Sequence, residues 1–355
     1  MKQKNKKKLF LLLRLLVSFG LIAYIFFKIN SRHGLSELPV YFSQANYLWL
    51  AGAVLLLVIL LAIGSLRWGI LLRAQGVRLK PPSVFMYYMI GMFFNNFLPT
   101  TVGGDVIKAY YLTRFTGKGA ESFVSVAMDR IMGIAGMTVI ALGACAVGGR
   151  ILWENPGTRP HALSIFLIIG GVLLGLVIFF LVIFSARAMG ILFRLVRWEK
   201  IRSKIKKLHD SLYVYKGKWK VLLQATLISV GIWILICLLA AMIYQGFHSS
   251  VSPPPAGKIA SIPIKYFFLF LPVISVIMSL PISLAGMGAR EESFIIFFGA
   301  LNGITALDAL VMSLTFLFVY LAASSIGGII YVLKDQLHFH REDITEIEAG
   351  VEASN

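Results

Sequence analysis

Along the chain, apolar residues do not alternate with polar ones at the period of a half-buried helix or strand; they come in continuous runs separated by short polar joints. Six runs, near residues 9 to 28, 47 to 72, 122 to 148, 162 to 185, 221 to 247 and 306 to 333, are long enough to be membrane-spanning helices. Crossing roughly 30 Å of hydrocarbon takes about 20 helical residues. Two further apolar regions, 84 to 113 and 262 to 301, are broken in the middle, at Pro99, Gly103 and Gly104 in one and at Pro281, Gly286 and Gly288 in the other. Proline removes a backbone donor and glycine weakens a helix interior, so each region predicts two half-helices. The pattern as a whole predicts an all-α polytopic membrane protein with about six full transmembrane helices and two helical hairpins.

Composition agrees with this and removes competitors. With 58% hydrophobic and 14% charged side chains, the chain is neither a disordered protein, nor a collagen-like fibre, nor an ordinary water-soluble globule. Its 34 Lys and Arg against 16 Asp and Glu give a net charge of +18. In so apolar a chain that excess belongs to loops facing anionic cytoplasmic lipid, and nucleic acid is not the expected partner. Lys2, Lys4, Lys6, Lys7 and Lys8 precede an apolar stretch from Leu9 to Phe27. The stretch is longer than a signal-peptide core and no small-residue cleavage site follows, so it reads as a retained first helix behind a basic cytoplasmic segment, residues 1–8. The loop 187–220 carries eleven basic residues against Glu199 and Asp210, which places it in the cytoplasm. It is expected to form an amphipathic helix on anionic lipid, with Ile201, Ile205, Leu208 and Leu212 along one face. The membrane domain then runs over 9–335, an acidic tail over 336–355, and both termini are cytoplasmic in the cell membrane.

With this topology the hairpin 84–113 enters from the cytoplasm and the hairpin 262–301 from outside. Each lies between two spans, and the two halves run in opposite directions, which predicts an inverted repeat with opposed re-entrant hairpins. The tips are alike: Leu98-Pro99 is followed by Gly104, and Leu280-Pro281 by Gly286, five residues after the proline in both.

Irregular backbone at membrane depth is tolerated only where protein or water satisfies its amides, so two opposed breaks imply an internal polar site. Half-helices starting near Asp105 and Ala289 would aim free N–H groups at the midplane, suited to a phosphate-bearing headgroup. The plainer alternative is that Pro and Gly merely kink two packed helices. Ionisable residues near the breaks are Asp105, Lys108, Asp129, Arg130, Arg290, Glu291 and Glu292. A charge in hydrocarbon is costly and by default a functional candidate. Asp105 and Lys108 share a helix face, whereas adjacent Asp129 and Arg130 point apart, so pairing between the halves is expected. In the functional reading Arg290 and Lys108 hold phosphate while Asp105, Asp129 or Glu291 meets a cationic group or carries a proton. In the structural reading Asp105 is an N-cap and the rest form an ion-pair network. Asn95 and Asn96 either solvate a headgroup or tie the hairpin to its neighbours.

Other features are weaker. Arg67 and Trp68 read as an interfacial anchor. Gly171 and Gly175 form a GxxxG pair compatible with close helix packing or a homodimer. Cys145 and Cys237 lie in apolar runs and give no disulfide or metal framework. The scattered histidines, with His338 and His340 on the charged tail, suggest no metal, and no cofactor motif is present.

Arg67-Trp68, Phe94-Asn95-Asn96-Phe97-Leu98-Pro99, Gly103-Gly104-Asp105, Met128-Asp129-Arg130 and Leu280-Pro281 through Gly286-Met287-Gly288-Ala289-Arg290-Glu291 together resemble the lysylphosphatidylglycerol synthase transmembrane family, also called the flippase-like or UPF0104 family. The resemblance covers roughly residues 10 to 335. Such proteins resemble the membrane half of the bacterial multiple peptide resistance factor, in which this module moves aminoacylated phosphatidylglycerol from the inner to the outer leaflet. A separate soluble domain makes that lipid there. No such domain is expected in these 355 residues. Other relatives resemble proteins of polyprenyl-linked or glycolipid pathways. The resemblance implies a lipid translocase for an anionic or aminoacylated phospholipid, or for a polyprenyl phosphate, with a separate lipid-modifying enzyme as a partner. Its competitors are an intramembrane lipid transferase and a scaffold for such an enzyme.

Overall fold

The computed structural model describes residues 35–97, 103–154, 156–185, 199–248, 259–279, 288–301 and 303–333. The basic segment 1–8, the span 9–28, Pro99, Pro281, Gly286 and the tail from residue 336 lie outside the described residues, as does 186–198 of the basic loop. The described secondary structure is helical. After a 3-10 turn at Leu35–Glu37 come α1 (Leu38–Ser43), α2 (Tyr47–Ala74), α3 (Pro81–Phe97), α4 (Gly103–Thr116), α5 (Gly119–Glu154) and α6 (Arg159–Phe184). They are followed by α7 (Glu199–Tyr213), α8 (Trp219–Gln245), α9 (Lys265–Ser279), α10 (Ala289–Phe297) and α11 (Ala306–Leu333).

Five apolar helices, α2, α5, α6, α8 and α11, are long enough to cross a membrane, and they coincide with five of the six expected runs. Their apolarity is not confined to one stripe. One side buries Leu57, Leu60, Trp68 and Leu71 of α2, while Leu48, Leu55, Ile59 and Leu66 on the same helix stay exposed. A helix apolar all round, with large side chains left bare of protein, is what hydrocarbon solvent requires. The two broken regions form the shorter pairs α3 with α4 and α9 with α10, and in each pair the helices pack on one another.

Polar ties at the helix ends fix which ends lie together. Lys118 Nζ donates to the Gly76 carbonyl at 3.1 Å and Lys218 Nζ to the Ala74 carbonyl at 2.5 Å, so the end of α2 and the starts of α5 and α8 share one side. At the other side the Asn46 N–H donates to the Gly246 carbonyl at 2.8 Å, and Tyr244 Oη accepts from the Ile262 N–H at 2.9 Å. There Tyr41 Oη donates to Asp308 Oδ1 at 2.6 Å, pinning α1 to the start of α11. Burial and the adjacent Asp308 carboxylate push the Tyr41 phenol above its ordinary value, so it stays a donor.

Helix α7 matches the amphipathic helix expected in the basic loop, but protein covers part of its apolar face. Leu208 and Leu212 pack with Leu71, Val124, Met128 and Tyr215. Gln75 Nε2 donates to the Ser211 carbonyl at 2.8 Å. The apolar stripe is therefore spent on the bundle at these positions, where contact with side chains replaces contact with lipid. Among the described residues the GxxxG pair makes no close contact: a Cβ at Gly171 or Gly175 would meet nothing within 4 Å.

Candidate functional site

The site grows from a close crossing of α3 and α4. A Cβ on Gly104 would overlap the Gly91 carbonyl and the Asn95 backbone, so only glycine permits the approach. That proximity lets the Gly104 N–H donate to Asn95 Oδ1 at 2.9 Å. Asp105 follows as the third residue of α4, one turn before Lys108, and both are buried. The N-cap role expected for Asp105 is not what the structure has: Asn95 on the neighbouring helix accepts the terminal N–H, and Asp105 turns toward α5.

On α5, Asp129 and Arg130 point to different partners. Arg130 Nε donates to Asp105 Oδ2, whose other oxygen accepts from Asn95 Nδ2 at 3.4 Å. Asp129 Oδ1 accepts from Arg67 Nε at 2.9 Å, and its Oδ2 lies 3.7 Å from Lys108 Nζ. Arg67 reaches further, with Nη1 donating to Ser229 Oγ of α8 at 2.8 Å. A Cβ on Gly136 would sit 2.4 Å from that of Ser229, so the missing side chain brings α8 near enough to α5 to supply the hydroxyl. Lys108 Nζ also lies over two aromatic rings, 4.3 Å from the Trp68 centroid and 4.5 Å from that of Tyr88. Two ring faces and one carboxylate thus surround the ammonium, replacing water as its solvent.

The cluster draws on α2, α3, α4, α5 and α8. Its inner part is almost dry: the Arg67, Lys108 and Asp129 side chains are 8%, 5% and 6% exposed. Its outer edge is open, since the Arg130 side chain is 42% exposed. Among the described residues the cluster holds three basic groups and two carboxylates, so most of the buried charge is compensated. Removing one member of such a set strands its partner without water, which is far more costly than the set is stabilising.

The second break is built differently. Gly288 adopts φ +80°, a left-handed conformation open to glycine, and α10 begins at the next residue. Glu291 Oε2 accepts from the Gly288 N–H at 2.7 Å, while its Oε1 accepts from Arg290 Nε at 3.1 Å and also from Nη2. Arg290 Nε lies 3.2 Å from Ser313 Oγ of α11. Glu291 thus caps the helix and neutralises its neighbour at once.

The structure therefore brings Asn95, Asp105, Lys108, Asp129 and Arg130 together and groups Arg290 with Glu291. Each of these ion pairs lies within one half: adjacent residues on α5 reach α2 and α4, and Arg290 turns to the next residue. Asn96 Nδ2 is buried without a hydrogen-bond partner. Arg67 is a correction, because it is a buried partner of Asp129 and not an interfacial anchor. It stands seven residues before the end of α2 at Ala74, about 10 Å inside at 1.5 Å per residue. That depth is a usable signal, and Trp68 stands out beside it as an aromatic next to a charge; Tyr88 and Ser229 have none, being ordinary residues of apolar helices. Among the described residues no group of three or more His, Cys, Asp or Glu is arranged to hold a metal ion.

Residues 11–328 match the model of the family described as the lysylphosphatidylglycerol synthase TM region. A UPF0104 membrane protein of Methanothermobacter thermautotrophicus is 25% identical over 284 residues, covering 75% of this chain and 79% of that protein. A second from the same organism is 23% identical over 290 residues, covering 73% and 78%. One from Methanocaldococcus jannaschii is 25% identical over 134 residues, 37% of each chain. No solved structure matches. The chain belongs to the lysylphosphatidylglycerol synthase TM region family.

Proposed function

From that membership, and from a buried cationic cluster among helices of membrane length, we propose that the protein translocates a lipid with a phosphate-bearing headgroup between the leaflets of the cell membrane. The pairs α3–α4 and α9–α10 act as opposed re-entrant hairpins of an inverted repeat. Arg73, Arg78, Lys80 and Lys118 crowd the side where α2 ends, which supports a cytoplasmic orientation for it. The observation that carries the reading is that Arg67, Lys108 and Arg130 gather with Asp105 and Asp129 beside a broken helix, with Arg130 at the open edge. A purely structural network has no need of an open edge; cations reachable from outside suit an incoming phosphate.

The steps follow from exposure. The Arg130–Asp105 pair at the open edge parts first, because exposed pairs are held weakly. A phosphate oxygen takes the place of Asp105 on Arg130, and the inner guanidinium and ammonium take further oxygens as Asp129 lets go. Arginine suits this exchange, since its planar fork binds phosphate and carboxylate alike. The released carboxylates would meet the amine of an aminoacylated phosphatidylglycerol; a polyprenyl phosphate would use the cations alone. The tails remain in hydrocarbon throughout, and the movement itself changes no covalent bond.

The test is leaflet exchange in proteoliposomes with labelled lysyl-phosphatidylglycerol, phosphatidylglycerol and undecaprenyl phosphate. Selective movement of one of them, lost in Asp105→Asn and Arg67→Gln proteins that remain folded, is the expected result. Folded wild-type protein that moves none of the three, with or without a proton gradient, would overturn the proposal and favour the scaffold or transferase readings.

A further inference from the structure

Away from the charged cluster, a groove of about 710 Å³ runs along the surface between α5 and α9, lined by Val139, Gly143, Val147 and Ile151 of α5 and by Lys265 and Phe268 of α9, among others. The four α5 positions recur every fourth residue, so they form one stripe. From Val139 to Ile151 the stripe is about 18 Å long at 1.5 Å per residue, against about 15 Å for one leaflet, half of the hydrocarbon thickness. Lys265, the first residue of α9, stands at the end of this groove on the side where α8 ends and α11 begins. It is exposed, its ammonium lies 5.5 Å from the Tyr266 ring, and no acidic side chain lines the groove.

We infer that this groove holds one acyl chain of an anionic phospholipid whose phosphate rests on Lys265. The match is in both dimension and charge: an apolar channel one leaflet deep, opening beneath a single cation at the depth of the headgroups. A soluble apolar ligand would have no use for the cation, and a protein helix would need a wider contact than one stripe. The groove lies on the seam between α5 and α9. In the translocase reading, on which its role rests, it receives the cargo's tail in the leaflet opposite the basic side. Gly143 is the sensitive position: it faces the groove, and a Cβ there would meet nothing within 4 Å. A larger side chain there would project into the groove.

The experiment uses the full chain in proteoliposomes containing phosphatidylglycerol with a photoreactive diazirine in one acyl chain, and phosphatidylcholine with the same chain. Peptides carrying adducts are identified by mass spectrometry. Adducts should concentrate at 139–151 and 265–269, with phosphatidylglycerol favoured by about fivefold, the ratio expected of one partly exposed charge contact. G143F should remove these adducts while leaving the thermal midpoint unchanged. K265E, on an exposed residue that no core contact depends on, should keep their position and lose the preference for phosphatidylglycerol. Adducts spread as densely over the exposed face of α6 and unaffected by G143F would overturn the inference, as would equal labelling by the two lipids. R67K, which keeps the charge, separates the two readings: it should slow leaflet exchange about tenfold and leave the labelling intact. Groove labelling in a wild-type protein that moves no lipid would sink the translocase and leave the groove.

Discussion

The two breaks in the apolar pattern hold charge in opposite ways. At α3–α4, five ionisable groups from three helices share partners, and each carboxylate touches groups on elements other than its own. At α10, Arg290 and Glu291 are adjacent, and the carboxylate spends its second oxygen on the backbone of Gly288. The first arrangement exists only while α2, α4 and α5 keep their positions, so a ligand that replaces one partner acts on three helices. The second moves as a unit with its helix. A site that must exchange partners with a passing headgroup belongs at the first, and a cap that preserves a half-helix during such an exchange belongs at the second.

The most severe test is Asp129→Asn. It leaves Arg67 and Lys108 buried without a carboxylate, and a cost of about 3–5 kcal/mol is expected, as for other broken buried pairs. Thermal unfolding in detergent reads that cost, and leaflet exchange should disappear; a wild-type midpoint would show that the inner cluster is wetter and looser than its geometry implies. Arg67→Lys comes next. The charge remains, but one ammonium cannot serve Asp129 and Ser229 with the same fork, so exchange should fall about tenfold. Full activity would mean that only charge matters there.

Glu291→Gln examines the other break. The amide oxygen can still accept from Gly288, while buried Arg290 loses its counter-charge, so a loss of about 3 kcal/mol in stability is expected with exchange reduced no more than the folded fraction. If exchange by the folded protein vanished instead, the two breaks would be equal partners in the pathway. Ser229→Ala should have the smallest effect, about 1 kcal/mol for one neutral acceptor taken from Arg67, measured by the same unfolding experiment.

Much of this was legible before any coordinates. The positions of five long helices follow from runs of apolar residues, because a helix in hydrocarbon must satisfy its own backbone and present apolar side chains all round. The breaks near Gly103 and Gly288 were visible because proline and glycine interrupt such a run for local reasons. Asp105, Lys108, Asp129 and Arg130 announced themselves as charges in apolar company. Arg67 stands out equally, and its distance from the helix end argues for a buried role over an interfacial one.

Partnership is what the chain could not disclose. That Asp129 pairs with Arg67 and Lys108, that Trp68 and Tyr88 enclose the ammonium, that Ser229 completes Arg67, and that Leu208 and Leu212 meet protein all depend on where separate helices come to rest. Helix existence and burial in a membrane are settled residue by residue, from backbone hydrogen bonds made within the segment and from side-chain transfer energies. Pairing is settled by shape, in contacts such as Gly104 on Gly91 and Gly136 on Ser229, where a missing Cβ on one helix admits another. Such contacts join residues far apart in sequence, and no local pattern encodes them.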